Sequence, residues 1–461
     1  MSFADICPTL QLPSTFLESI AQVPGIDLQS LEQLHNSGEQ VTSIRINPLK
    51  CSNGNALFQE ADRVPWCATG YYLQERPSFT FDPLFHAGAY YVQEASSMFL
   101  WQVLKTIKPN PGEEVLLDSC AAPGGKSTLL ASYFPQGLII ANEVIKPRAS
   151  VLVENITKWG SGNVVVTNND PADFSKLPSM FDGVVVDAPC SGSGLFRKDP
   201  AAIQEWSVQN VQLCCQRQQR IIAGLWNSLK PGGYMVYSTC SYSMEEDEAI
   251  SDWLLSNYDA QSIRIPLNND WGIVETTSTK HQAFGYRFFP DKVRGEGFFI
   301  AVFQKAGNEN LFQKPLPLRK SISATELSIV EPWVVSAPFF TFVKQGERML
   351  ALPAKHSQAI FKLIDTLYLR LAGTFVGEIK GKDFIPSHDL AISTIANTNI
   401  PAVDVDKATA LDYLKKKEIL VDNFRKGWTL IRYLGVNLGW IKVLQNRVNN
   451  YYPIEWRILK D

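Results

Sequence analysis

Between residues 115 and 240 short β-branched runs alternate with helical stretches, the pattern of a parallel sheet wrapped by helices. The strands read from it are Glu114 to Leu117, Gly137 to Ala141, Asn163 to Val166, Gly183 to Val186 and Tyr234 to Tyr237. One long helix is expected over Ala201 to Leu229, stopped by the Lys-Pro-Gly-Gly at 230–233. Each strand runs into a polar, glycine-rich or acidic turn. Ligands of open α/β sheets bind outside the carboxyl ends of the strands, so the chemistry of this chain is expected at those turns.

With 461 residues the chain is too long for one ordinary core, and two or three domains are expected. Residues 1–100 mix helical and strand patterns around the segment TSIRINPLK (42–50) and read as a small α/β module; 101–305 hold the alternating core. The polar, proline-containing stretch 306–321 reads as a connection, and 306–461 as a mixed α and β C-terminal region. A composition of 45% hydrophobic and 19% charged residues is that of a globular protein, with no apolar run long enough for a membrane span. The opening MSFADICPTLQLPS has no secretory pattern, so the cytoplasm is the expected compartment. Eight cysteines without a C-x-x-C pair argue against a zinc site and against a disulfide framework; no metal is expected. A net charge of -3 does not mark a nucleic-acid binder, but residues 401–461 carry eleven Lys and Arg against seven Asp and Glu.

The segment VLLDSCAAPGGKST (115–128) is a strand, a small-residue turn and a helix start, where a cofactor is expected. It is a poor P-loop, because the first required glycine is Cys120 and Pro123 removes a backbone donor from any phosphate cradle. The G-x-G-x-x-G of a dinucleotide site is also absent. A nucleoside without phosphates fits better: Glu143, ending the next strand, can accept from a ribose diol, and Asp170, ending the third, can meet an adenine amino group. Asp118 and Glu143 together suit a cationic sulfonium.

Two further turns carry thiols. FDGVVVDAPCSGSG (181–194) ends with Asp187 and Cys190, and GGYMVYSTCSYS (232–243) with Cys240. If both strands share one sheet, the thiols meet at one mouth. That arrangement suits methylation of a poorly nucleophilic carbon such as carbon 5 of cytosine, which is activated when a thiolate adds to carbon 6. Asp187 is placed to hydrogen-bond the ring-nitrogen and amino edge of the base, and Lys126 to pair with Asp187. Chemistry alone leaves open which thiol attacks.

The ordered set YVQEASSM (91–98), DSCAAPGGKS (118–127), NEVIKPR (142–148), VVVDAPCSGSGLFRKDP (184–200), STCSYSMEEDEA (238–249) and GEGFFIAVF (295–303) resembles the Sun (Fmu, nucleolar-protein) family of RNA cytosine-C5 methyltransferases over most of the chain. The C-terminal pieces PSHDLAIS, LDYLKKKEI and GVNLGWIKVLQNRVNNYYP are similar to the PUA-like RNA-binding end of its small-subunit (16S) rRNA methyltransferase F branch. The resemblance implies a Rossmann-like S-adenosylmethionine methyltransferase core, an N-terminal α/β RNA-binding module and a C-terminal PUA-like α+β domain. It further implies Cys240 as nucleophile and Cys190 as the group assisting product release. Cofactor contacts are implied from the turn Cys120, Ala121, Ala122, Pro123, Gly124, Gly125 and Lys126, together with Glu143, Arg148, Asp170 and Asp187. The expected partner is rRNA or the small ribosomal subunit. Where the family often has a glycine, this chain reads Lys415-Lys416-Lys417. Arg197 and Lys198, just past the Pro-Cys turn, are candidates for steadying an RNA backbone, and the aromatics Trp428, Tyr433, Trp440, Tyr451, Tyr452 and Trp456 for stacking or core.

Two other readings compete. A noncatalytic RNA-binding ribosome-assembly factor has no need for two cysteines with Lys126 and Asp187. A DNA cytosine methyltransferase uses the Pro-Cys thiol and does not require the second one.

Overall fold

The computed structural model describes residues 11–51, 58, 60–307, 322–381, 383–419 and 426–460. The opening residues with Cys7, and nearly all of the connection expected at 306–321, lie outside the described residues.

Three strands, β1 (Thr42–Ile46), β2 (Gly70–Leu73) and β3 (Tyr90–Val92), make an antiparallel N-terminal sheet in the order β2-β1-β3. The core sheet follows with β4 (Val115–Asp118), β5 (Leu138–Asn142), β6 (Val164–Thr167), β7 (Phe181–Asp187) and β8 (Leu229–Thr239), all parallel, in the order β8-β7-β4-β5-β6. The chain steps outward from β4 through β5 and β6, then returns to the other side of β4 for β7. The crevice between β4 and β7 is therefore the switch point of the sheet. Side chains alternate between its faces: Leu116, Ile139, Val164 and Val185 enter one apolar cluster, Leu117, Ile140, Val165 and Val186 the other. Cover on both faces explains why these strands read as unbroken apolar runs.

Antiparallel strands extend the sheet beyond β8. They are β9 (Ala260–Ser262), β10 (Val274–Thr277), β11 (Phe284–Phe288) and β12 (Phe298–Lys305), with β12 hydrogen-bonded to β8. Downstream of 306 come β13 (Phe340–Gln345), β14 (Arg348–Pro353), β15 (Leu369–Ala372), β16 (Thr374–Lys380) and β17 (Asp383–Pro386). Four of these form a sheet, but β15 instead pairs antiparallel with β6 and closes the far edge of the core. A last sheet contains β18 (Ala402–Asp404), β19 (Gly427–Tyr433), β20 (Val436–Val443) and β21 (Val448–Asn450). Its Ile431, Leu438 and Ile441 share one apolar cluster with Ile44, Ile46 and Tyr90 of the N-terminal sheet, so the first and last sheets are packed together.

The helix expected over 201–229 is two helices, Pro200–Glu205 and Val208–Trp226. Trp206 turns extended (ψ 135°) and is buried beside Phe16, while the Ser207 side chain accepts from Asn210 N and starts the second helix. Lys230 to Gly233 lie inside β8 rather than at the helix end. Of the C-terminal aromatics, Trp440 and Tyr452 are core, with the Trp440 indole donating to Ser387 O at 2.6 Å, whereas Tyr451 is exposed. Lys416 occupies the left-handed conformation (φ 63°) that its turn demands, and its ammonium donates to the carbonyls of Asn450 and Tyr452. The amine offsets the strain a glycine would avoid.

Candidate active site

Strands β7 and β8 are adjacent and parallel, with Asp187 opposite Ser238. Cys190 comes three residues after Asp187 and Cys240 two after Ser238, so the register and the turns that follow bring the two thiols to one place. Their sulfurs are 3.0 Å apart. The thiol of Cys190 is held well above its ordinary pKa, first by the hydrogen bond it shares with Cys240 and then by burial. Beneath the pair lies Glu246, fully buried. Its Oε1 accepts from Ser191 N (2.9 Å) and the Gln218 amide (3.1 Å), and its Oε2 from the hydroxyls of Ser191 (2.5 Å) and Ser241 (2.6 Å). One carboxylate thus ties the residue after each cysteine to the other.

Asp187 ends β7 at the mouth. Its Oδ1 takes a hydrogen bond from Ser238 Oγ (2.8 Å) and an ion pair from Lys126 Nζ (2.7 Å). Lys126 is almost wholly buried, 5.0 Å over the Phe298 ring, so its charge is aimed at Asp187 rather than at water.

The turn after β4 is shaped by Gly124 (φ 119°), after which the Gly125–Tyr133 helix begins. Arg45 of β1 braces that helix from below. Its guanidinium is fully buried and donates to Gln93 Oε1 (2.9 Å), Gly125 O (3.3 Å) and Thr128 Oγ1 (2.5 Å). On the cavity side, Asp118 is fully buried; Oδ2 accepts from Ser127 Oγ (2.6 Å) while Oδ1 has no partner among the described residues. Burial lifts this carboxyl to about 7 and the Cys120 thiol to about 12. Arg148 donates to Ala122 O (2.8 Å) and lies 3.5 Å from buried Glu143, whose Oε1 accepts from Ile145 N.

These groups surround one cavity of about 470 Å³. Its wall includes Asp118, Cys120, Ala121, Ala122, Pro123, Gly125, Lys126, Arg148, Asp187, Cys190 and Cys240. Gly124, Glu143 and Asp170 form no part of that lining; Asp170 caps the turn at 171–176 through Ala172 N and pairs with Arg220 at 3.0 Å. Arg197 and Lys198 stand near a buried carboxylate in the cavity wall, Glu296, at 3.8 and 3.9 Å. Glu246, Glu296 and Arg45 are additions that the sequence reading did not make. Glu246 and Glu296 lie inside segments already singled out, but nothing local says which carboxylate turns inward. Among the described residues no group of three or more His, Cys, Asp or Glu side chains is disposed to hold a metal, and no helix is long and apolar enough to cross a membrane.

The chain matches a family model described as 16S rRNA methyltransferase RsmB/F over residues 104–304. The N-terminal domain of 16S rRNA methyltransferase RsmF matches at 12–95, and the methyltransferase RsmF PUA domain at 400–458. It is 31% identical to ribosomal RNA small subunit methyltransferase F of Aeromonas hydrophila, covering 96% of this chain and 97% of that one. The protein of the same name from Aliivibrio salmonicida is 32% identical, with 90% of each chain covered. Among solved structures, a methyltransferase homolog from Pyrococcus horikoshii is 31% identical with a TM-score of 0.52, covering 63% of this chain and 94% of that one.

Proposed function

This chain belongs to the 16S rRNA methyltransferase RsmB/F family, and from that premise we propose that it methylates carbon 5 of a cytosine in small-subunit rRNA, with S-adenosylmethionine as donor. The observation that carries the reading is the pair of thiols 3.0 Å apart at the mouth of the sheet, beside an aspartate that is itself held by a buried lysine. The cofactor fits the adjoining turn on one count above all. The fully buried Asp118 has a partnerless Oδ1, which suits a cationic nucleoside and disfavours a phosphate. Within the turn from Cys120 to Lys126 every residue but Gly124 lines the cavity and would hold it together with Arg148 and Asp187, while Glu143 and Asp170, ending the neighbouring strands, would need to turn toward it. When bound, S-adenosylmethionine supplies an electrophilic methyl group.

Cys240, as thiolate, adds to carbon 6 of the base; the ring electrons move to carbon 5, which becomes nucleophilic. Asp187, oriented by Lys126 and Ser238, accepts from the amino group of the base and relays a proton from the Lys126–Asp187 pair to the ring nitrogen, neutralising the negative charge that develops there. Once carbon 5 carries the methyl group, its proton passes to solvent water, the carbon 5–carbon 6 double bond re-forms and the Cys240 thiolate departs. Cys190 touches the departing sulfur and assists that release. The C-terminal unit matched as a PUA domain binds the surrounding RNA, and a loop or bulge is the favoured target because its base is already unstacked.

Transfer of label from S-adenosylmethionine to total rRNA and to isolated subunits tests this. Wild type should yield 5-methylcytosine and Cys240→Ala none, whereas Cys190→Ala should accumulate a denaturation-resistant RNA adduct through Cys240. Turnover by Cys240→Ala would refute the assigned roles. Cofactor binding with no label on any RNA would favour a noncatalytic assembly factor.

A further inference from the structure

Glu296 stands out among the buried groups that this chemistry does not use. Its backbone is pinned from three sides: Glu94 Oε1 accepts from Glu296 N (2.9 Å), Ser96 Oγ donates to its carbonyl (2.8 Å), and Gly297 N donates to Gly194 O (3.1 Å). The loop at 295–297 lies flush on the Cys190 turn, since a Cβ on Gly194 would come within 2.5 Å of Gly297 O. The side chain so held is 1% exposed and lines the catalytic cavity, yet neither carboxylate oxygen has a hydrogen-bond partner among the described residues. Arg197 and Lys198 stand 3.8 and 3.9 Å away, too far to donate; the Arg197 guanidinium donates instead to Glu39 O, outside the cavity. Buried polar groups are almost always hydrogen-bonded, so a carboxylate left open in the wall of a substrate cavity marks a place that a ligand completes. The base edge is served by Asp187 on the separate strand β7. What remains of the nucleotide is a hydroxyl-bearing sugar and its phosphate, matching one open acceptor with the part-exposed cation of Lys198 beside it.

We propose that Glu296 and Lys198 form the sugar–phosphate subsite of the target nucleotide, with the Glu296 carboxylate accepting the ribose 2′-hydroxyl and the part-exposed Lys198 ammonium facing the adjoining phosphate. The subsite rests on the reading of the enzyme as an RNA methyltransferase and makes it selective for RNA, because the 2′-hydroxyl is the group that distinguishes RNA from DNA. Burial lifts the Glu296 carboxyl to about 7, which its two cationic neighbours oppose; either protonation state retains an acceptor oxygen.

The test uses the full chain and an RNA oligonucleotide that wild type methylates, prepared with ribose or 2′-deoxyribose at the target cytidine alone. A site built to bond a hydroxyl rejects the analogue lacking it strongly, and wild-type kcat/KM should fall by at least about 30-fold on the deoxy substrate. In Glu296→Ala that ratio should collapse to within about threefold; Glu296→Gln, which keeps an acceptor, should restore much of it. Lys198→Ala should raise KM and flatten its salt dependence, with kcat little changed. Equal wild-type rates on the two substrates would overturn the assignment, as would an unchanged ratio in Glu296→Ala. If wild type methylates no RNA at all, the parent reading fails and this one falls with it.

Discussion

Replacing Glu246 tests whether the two thiols are positioned by the carboxylate beneath them. In Glu246→Gln the volume is kept and one oxygen becomes an amide nitrogen. The nitrogen should face the hydroxyls of Ser191 and Ser241, which can rotate to accept, leaving the remaining oxygen for Ser191 N and the Gln218 amide. Every bond survives in some form, but charge assistance is lost, for a cost of about 1–2 kcal/mol. Glu246→Ala instead removes the acceptor of four buried hydrogen bonds, replaced only in part by Pro189 O and the Ser191–Ser241 hydroxyl contact, and opens a void, for a cost of roughly 3–5 kcal/mol. The cysteine turns would then drift, and a displacement of about 1 Å at a reacting group costs on the order of 100-fold in rate. Urea unfolding, cofactor titration and single-turnover methyl transfer on the three proteins separate these effects. The expected order in both stability and rate is wild type, Gln, Ala, with cofactor affinity nearly constant. An Ala variant as stable and fast as wild type would refute the argument, and so would a loss of cofactor affinity in step with the rate.

Asp118 makes cofactor binding proton-linked. Its carboxyl is held at about 7, above the ordinary 3.8, so between those values the folded protein carries a proton that the unfolded chain lacks, and this group's contribution to stability falls as pH rises through the window. A cationic ligand favours the ionised form, so affinity for S-adenosylmethionine should rise about tenfold from pH 6 to pH 8 with proton release, measured by calorimetry in buffers of different ionisation heat. A flat profile without release would remove Asp118 from the cation's surroundings. Arg45→Ala should destabilise the protein by roughly 3–5 kcal/mol, because it strips a buried cation from the acceptors it serves, and it should weaken cofactor binding through the unbraced helix at Gly125. Unchanged cofactor affinity in a folded Arg45→Ala would show that the brace is structural only.

The residues that gather at the cavity were legible because strand ends in an open sheet converge by geometry. Once the parallel core is read from the alternation, Asp118, Asp187, Cys190 and Cys240 must approach one another. Contacts made by chance of distant packing carry no such local sign. The pairing of Leu369–Ala372 with β6 has no counterpart in turn or periodicity, and the break at Ser207 was hidden because Trp206 and Val211 keep an apolar pattern across it. Glu246 sits among the acidic residues of STCSYSMEEDEA, whose spacing does not tell which of them points beneath the thiols.

The apolar cluster shared by the first and last sheets has a consequence for biosynthesis. Ile44 and Tyr90 are made long before Ala410 and Ile441, which join the same apolar cluster. At roughly 5–20 residues per second the interval between Ile44 and Ala410 is on the order of 20 to 70 seconds. Throughout that time the first sheet has only the cover of its own neighbours, Leu84 and Ala87 among them, and lacks the C-terminal half of its apolar cluster. It is made first and completed last, and a ribosome stalled anywhere in the final strands releases a chain whose opening module is unsealed, the surface a chaperone or protease recognises.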